Sequence, residues 1–192
     1  YQNEEEIKNS NKNYVILRLG SVYGYSTDTM RINIMPNLFS KITSQNGTID
    51  LFSGGKQIKS LVQLIDVVRC MKFMAENENF NNEIFNLVQD SVTVKEVAEI
   101  CKKLNPKITI RITEDETPNP GYTLSNQKLL KTGFKFLYNL EDSISTMIKK
   151  WSYKKTNYDL EYKTGGEKEF VDQRGKISNY ELTEPINLVG YI

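Results

Sequence analysis

The sequence has no histidine at all. Within these residues that absence excludes a His-ligated metal site and a Ser-His-Asp triad, and no metal site is expected. Cysteine is almost absent as well: Cys70 and Cys101 are the two in the chain. Both fall on expected helix faces, beside Met71 and Leu104. Buried free thiols are expected there rather than a disulfide, which suits a cytoplasmic protein. No apolar run approaches the roughly 20 residues of a membrane-spanning helix, and the first residues are polar and acidic, unlike a signal peptide. The 25 Lys and Arg nearly cancel the 24 Asp and Glu, leaving a net charge of +1. With no surplus of one sign, neither nucleic acid nor a membrane surface is an expected partner. What is left is a globular chain of 192 residues, 39% apolar and 26% charged, long enough for one domain or one and a fraction.

What is present is organised around Tyr14 to Gly24. A run rich in Val, Ile and Leu, expected to be a buried strand and interrupted by Arg18, ends in a small-residue turn, Gly20-Ser21-Val22-Tyr23-Gly24. In an open α/β sheet the carboxyl end of such a strand is where ligands sit, and small residues let them approach the backbone. Ahead of it, Tyr1 to Asn9 reads as a helix. Behind it, Ile32, Met35, Leu38, Phe39 and Ile42 recur at helical spacing, with Pro36 early enough to be tolerated. Asn46-Gly47 is a turn, Thr48 to Phe52 a strand, Ser53-Gly54-Gly55-Lys56 a second turn, and Gln57 to Leu64 a strand entering a helix. Asp66 is placed to cap that helix, whose apolar stripe is read as Val67, Val68, Met71 and Met74. Glu83 to Val88 is a strand, and Thr93 to Glu96 a capping box opening a helix with Val94, Val97, Ala98, Cys101 and Leu104 on one face. Ile108 to Ile112 reads as a strand and Ser125 to Lys131 as a helix closed by Gly133. Asn139 caps a last helix with Leu140, Ile144, Met147, Ile148 and Trp151 on one side. Strands alternating with helices give α/β architecture.

Composition shifts after Trp151. Residues 152–168 read as a polar linker, and from Glu169 the pattern is short and β-like. The expected domains are therefore 1–151, the linker 152–168, and 169–192.

Several pieces, in order, resemble one family. Arg18 to Gly24 is similar to Arg-x-x-Asn-x-Tyr-Gly, and Asn33-Ile34-Met35-Pro36 to Asn-x-x-Pro at a helix head. Leu51-Phe52-Ser53-Gly54-Gly55 looks like a hydrophobic-Phe-Gly turn that holds a nucleotide base. Gln57 to Val68 looks like Arg-Asp-Phe-hydrophobic-His-x-x-Asp-Val. Phe85-Asn86-Leu87, and Gly133-Phe134 before a helix ending in Trp151, complete the series. Together they resemble the extended short-chain dehydrogenase/reductases, the NAD-dependent nucleotide-sugar epimerases and dehydratases. The fold this implies is the C-terminal portion of a Rossmann-type member with its small substrate-binding domain.

The resemblance implies roles. Leu19 and Gly20 would present backbone to the nicotinamide end of NAD or NADP. Ser21, Asn33, Phe52 and Lys59 would face a nucleotide-sugar; Asn33 is equally readable as a plain helix cap, and Lys59 has the lesser alternative of a solvated charge at a strand end. An amide at a helix start and a cation beside a loop are what a diphosphate asks for. The sequence departs from the family in three places. Lys59 stands where Arg is usual, exchanging a bidentate fork for a point charge. Gln63 replaces a usual His, and the loop Thr117 to Tyr122 lacks an Arg often found there. The family's glycine-rich NAD loop and catalytic Tyr-x-x-x-Lys pair would precede Tyr1, and Tyr1 is followed four residues later by Glu5. The chain is thus expected to be an inactive fragment of an enzyme of sugar-nucleotide or surface-polysaccharide biosynthesis, the parent a homodimer.

The tail carries a second resemblance. Phe170-Val171-Asp172-Gln173-Arg174-Gly175 is similar to Phe-x-Asp-x-Arg-Gly at the start of cupin-type sugar-nucleotide epimerase/isomerase domains, which implies a short all-β beginning. Two alternatives stay open: a non-catalytic NAD(P)-binding or scaffold protein of the same fold, and a reductase of a non-sugar substrate.

Overall fold

In chain order the computed structural model runs α1 (Gln2–Lys8), β1 (Val15–Leu19), β2 (Ser21–Tyr23), α2 (Met35–Ser44), β3 (Thr48–Phe52), a 3-10 turn (Ser53–Gly55), β4 (Ile58–Gln63), α3 (Leu64–Ala75), β5 (Glu83–Leu87), β6 (Asp90–Thr93), α4 (Val94–Leu104), β7 (Thr109–Thr113), α5 (Gln127–Leu130), α6 (Leu140–Asn157), β8 (Thr164–Asp172), β9 (Gly175–Leu182) and β10 (Gly190–Tyr191). The structure describes residues 2–26, 30–77, 79–114, 121–157, 164–172, 175–182 and 190–191, with side chains through residue 152. The chain divides into two compact units, Tyr1–Ser152 and Tyr153–Ile192.

The first unit is α/β, as the alternation of strands and helices requires. β1 pairs in parallel with β5, and β3 in parallel with β7. β2 pairs in parallel with β4, which pairs antiparallel with β6. The central β4 separates two apolar clusters because successive side chains of a strand point to opposite faces. Leu61 joins Tyr23, Phe39, Val97 and Ile144 on one side. Val62 joins Val67, Cys70, Phe85 and Leu129 on the other. The second unit is an antiparallel sheet in the order β10-β9-β8, with Phe170 registered on Ile177.

Local signals set much of this. Thr93 caps α4 by accepting from the Glu96 amide at 3.1 Å, and Glu96 returns the bond to the Thr93 amide at 2.6 Å, a complete capping box. The Asn139 side-chain oxygen accepts from the Asp142 amide at 2.8 Å and opens α6. Asn46 takes a left-handed φ of 55° at the expected turn. Cys70 and Cys101 are buried free thiols, and burial pushes each up to about 11, so neither is a nucleophile near neutral pH.

Other expectations are corrected. Ser21 to Tyr23 is not a turn but β2, because Gly20 alone carries the chain from β1 to a second sheet. β1 is half-buried to exposed rather than buried, since β5 is its strand partner among the described residues. Ile32 lies outside α2. Asn33 does not cap that helix: the cap position is Ile34, with no side-chain bond. Gln63, not Asp66, caps α3 by accepting from the Ile65 amide. The α3 stripe is Val67, Cys70 and Met74, while Val68 and Met71 are 57% and 50% exposed. The helix expected over 125–131 is the single turn α5. Of the stretch expected as linker, 152–168, α6 takes 152–157 and β8 begins at Thr164, and 158–163 lie outside the described residues. So do 27–29 of the polar loop after β2 and 117–120 of the loop expected to lack the Arg.

Candidate functional site

Gly20 is the pivot of the candidate site. Its amide donates to the Leu87 carbonyl at 3.1 Å. A Cβ on it would lie 2.6 Å from the Ser60 carbonyl oxygen and 3.0 Å from Val88 Cγ2. A bare backbone is therefore required where the chain steps between sheets.

The segment after Gly121 is fastened across this junction. Gly121 bridges Ile58, so closely that a Cβ would fall 1.9 Å from the Ile58 carbonyl oxygen. The Ser60 hydroxyl donates to the Tyr122 carbonyl at 3.1 Å and accepts from the Leu124 amide at 3.2 Å. Its one proton being used, Ser91 is the donor in the Ser60–Ser91 hydroxyl pair at 3.2 Å. Asn126 Nδ2 donates to the Val88 carbonyl at 2.7 Å, and Asn86 Nδ2 to the Ser125 carbonyl at 2.9 Å. Residues 121–126 thus run from the start of β4 to the end of β5.

Register decides which expected residues meet. Ser21 is registered on Leu61, Leu61 on Asp90, and Lys59 on Val92. Residues in register share a face and alternate along a strand. Ser21, Lys59, Leu61, Asp90 and Val92 therefore point to one face of the β2-β4-β6 sheet, and Ser60 and Ser91 to the other. Leu19, on the other side of the Gly20 step, is registered on Leu87 of β5 instead. Leu19 is 39% exposed at the carboxyl end of β1. Phe52, 52% exposed at the end of β3, is joined to β4 through the 3-10 turn. There Ser53, Gly54 and Gly55 all have φ between 48° and 72°, and a Cβ on Gly55 would meet the Lys95 amide nitrogen at 2.9 Å. Asn33 is exposed in the turn ahead of α2, and no strand register ties it to the others.

Sequence reasoning missed the residues that hold this arrangement. Ser60, Asn86 and Asn126 fasten the crossing segment. Asn37, buried, accepts from the Gly24 amide at 2.9 Å and donates to the Arg31 carbonyl at 3.1 Å. Asp90, on the Ser21 face, has a buried Oδ2 without a partner among the described residues, and burial raises its carboxyl above the usual carboxylate range. Ser60 and Asn86 lie in motifs singled out by resemblance; nothing local marked Asn37, Asp90 or Asn126. Among the described residues no group of three His, Cys, Asp or Glu side chains could hold a metal ion. A cavity of about 810 Å³ opens between β1 and α3, lined by Tyr14, Leu17, Met71, Met74 and Phe80 among others. None of the six expected site residues lines it.

Residues 2–87 match the NAD dependent epimerase/dehydratase family, a span that holds Leu19, Gly20, Ser21, Asn33, Phe52 and Lys59. UDP-glucose 4-epimerase from Thermotoga maritima, solved with UDP-glucose, superposes with a TM-score of 0.66 at 19% identity, over 81% of this chain and 50% of its own. UDP-glucuronic acid 4-epimerase from Bacillus cereus, solved with UDP-glucuronic acid and NAD, gives 0.64 at 18%, over 81% and 49%. The fold is shared with these epimerases. Dihydroflavonol 4-reductase from Callistephus chinensis is 29% identical over 115 residues, 59% of this chain and 31% of the reductase. The chain spans about half the length of the two solved epimerases and a smaller part of the reductase.

Proposed function

We propose that residues 1–151 are the sugar-nucleotide-binding part of an NAD-dependent epimerase or dehydratase. The observation that carries this reading is the strand register, which sets Ser21 and Lys59 on one sheet face beside the Gly20 crossing. An acceptor-donor hydroxyl, a cation and an exposed aromatic ring, Phe52, meet the needs of a sugar, a diphosphate and a nucleobase. Asn33 adds an amide at the head of α2. Lys59 gives the diphosphate a point charge. Leu19 and Gly20 would border the nicotinamide of NAD, which supplies the hydride acceptor when bound.

These residues bind and orient. None of the eleven tyrosines is followed four positions later by Lys, and no two glycines stand as Gly-x-Gly. The acid/base pair and glycine loop that resemblance assigns to the redox step are not among these 192 residues, and the chain is proposed to be inactive alone. For residues 169–192 the antiparallel β8-β9-β10 pairing supports the opening of a cupin-like β domain.

Lys59→Ala is the test. Loss of a charge-assisted hydrogen bond costs about 1.5–3 kcal/mol, roughly ten- to a hundredfold in affinity. Titration calorimetry of the 192-residue chain with UDP-glucose should show the dissociation constant rising by that order in Lys59→Ala and largely kept in Lys59→Arg. Equal binding by wild type and Lys59→Ala, or epimerase turnover by the chain itself, overturns the reading.

A further inference from the structure

Asn37 has no place in the recognition motifs, yet it is 2% exposed in the first turn of α2. Its side chain uses both ends of the amide. Oδ1 accepts from the Gly24 amide, the residue directly after β2, at 2.9 Å, and Nδ2 donates to the Arg31 carbonyl at 3.1 Å. That carbonyl also receives the Ile34 amide at 3.3 Å, closing a turn over residues 31–34. The Asn37 backbone amide donates to the Ile34 carbonyl at 2.9 Å, so the same residue grips the turn twice. Asn33 is the third residue of that turn. One buried amide therefore links the strand that carries Ser21 to the turn that carries Asn33.

A buried amide in this position has few alternatives. Removing it leaves the Gly24 amide and one lone pair of Arg31 without their partner, away from bulk water. The turn would be free to shift relative to β2. A shift of that kind would move the exposed Asn33, while Ile34 of the same turn packs against the cluster of Leu61 and Tyr23.

We propose that Asn37 is a positioning residue for sugar-nucleotide recognition, holding Asn33 at a fixed distance from Ser21. This rests on the reading of Ser21 and Asn33 as ligand contacts. It goes beyond that reading by naming a residue that touches no ligand and acts through Asn33.

The test is a double-mutant cycle on the 192-residue chain, titrated with UDP-glucose well below the thermal midpoint of each variant. Asn33→Ala should weaken binding about three- to tenfold, the range of one neutral hydrogen bond. Asn37→Leu, similar in volume but without donor or acceptor, should weaken it by a similar factor. The double variant should be no weaker than either single one, since both remove the same contact. Asn37→Asp keeps the acceptor for Gly24, loses the donor to Arg31, and should match Asn37→Leu. A purely structural Asn37 would lower the thermal midpoint while leaving the affinity of the folded protein unchanged, and that result overturns the inference. So does multiplication of the two effects in the double variant, or no effect of Asn33→Ala. If Lys59→Ala still weakens binding in that case, only the Asn37 inference falls. If the wild-type chain does not bind UDP-glucose, both fall together.

Discussion

α3 and α4 carry the same sequence pattern and use it differently. They are 12 and 11 residues long, each follows a strand directly, and each has a side-chain cap. α4 buries what its periodicity promises: Val97, Ala98 and Cys101 are fully enclosed. α3 divides its apolar residues. Val67, Cys70 and Met74 face the core, while Ile65, Val68 and Met71 are exposed, and a carboxylate, Asp66, is completely buried. The cause lies in the first turns. In α4 the acidic residue Glu96 is spent on its own cap. In α3 Gln63 takes the cap, and Asp66 is free to reach a distant segment. It accepts from the Leu137 amide at 3.2 Å and the Tyr138 amide at 3.1 Å, and pairs with Arg69. Arg69 in turn donates to the Lys135 carbonyl at 3.0 Å and lies 5.5 Å over the Phe134 ring. A buried carboxylate needs such partners to offset its desolvation, so the rotation of α3 follows Asp66 rather than its full set of apolar residues. A helix turned by a polar contact can leave apolar residues outside.

The largest expected effect breaks that contact. Asp66→Ala removes a fully buried carboxylate and leaves two backbone amides unsatisfied, which costs about 1–3 kcal/mol for each amide. Urea denaturation should show it as a lower midpoint, and amide exchange at 137 and 138 should quicken. A loss under about 1 kcal/mol would mean that apolar packing alone orients α3.

Next comes the core face of α4. Val97→Ala removes two buried carbons and leaves a cavity, at about 2 kcal/mol. A neutral result in the same denaturation measurement would show that α4 is held by its ends and not by its face.

The caps sharpen the contrast at a smaller scale. Thr93→Ala should cost about 1 kcal/mol, since Thr is a strong N-cap in a reciprocal box. Gln63→Ala should cost less, because Gln is not among the strong caps and Asp66 already anchors that helix end. Equal losses would place the two helix starts on the same footing.

The smallest effect is expected at the outer face of α3. Val68→Ala should change stability by no more than about 0.5 kcal/mol. A loss near that of Val97→Ala would show that the exposed stripe is covered in solution, and the difference between the helices would disappear.

The sequence by itself determined what depends on neighbours a few residues apart. The Thr93–Glu96 box, the Asn139 cap and the Asn46-Gly47 turn each close within one turn of chain, and the apolar face of α4 repeats along a single helix. The lack of histidine settled which site chemistries were out of reach. The order of small motifs was legible too: it pointed to residues 1–151, of which 2–87 match the epimerase/dehydratase family.

Tertiary structure decided the rest, because the deciding partner is distant along the chain. Ser21 to Tyr23 is a strand only because β4 lies beside it, about 40 residues on. Asp66 is a tie and not a cap because its acceptor oxygens meet amides 71 and 72 residues away. Ser60 meets the crossing segment 62 to 64 residues later, and Asn37 reaches back 13 residues to Gly24. A polar side chain shows in a sequence only that it can form hydrogen bonds. Which groups it bonds, and hence whether it caps a helix, ties two segments or faces a ligand, is fixed once folding removes water from around it.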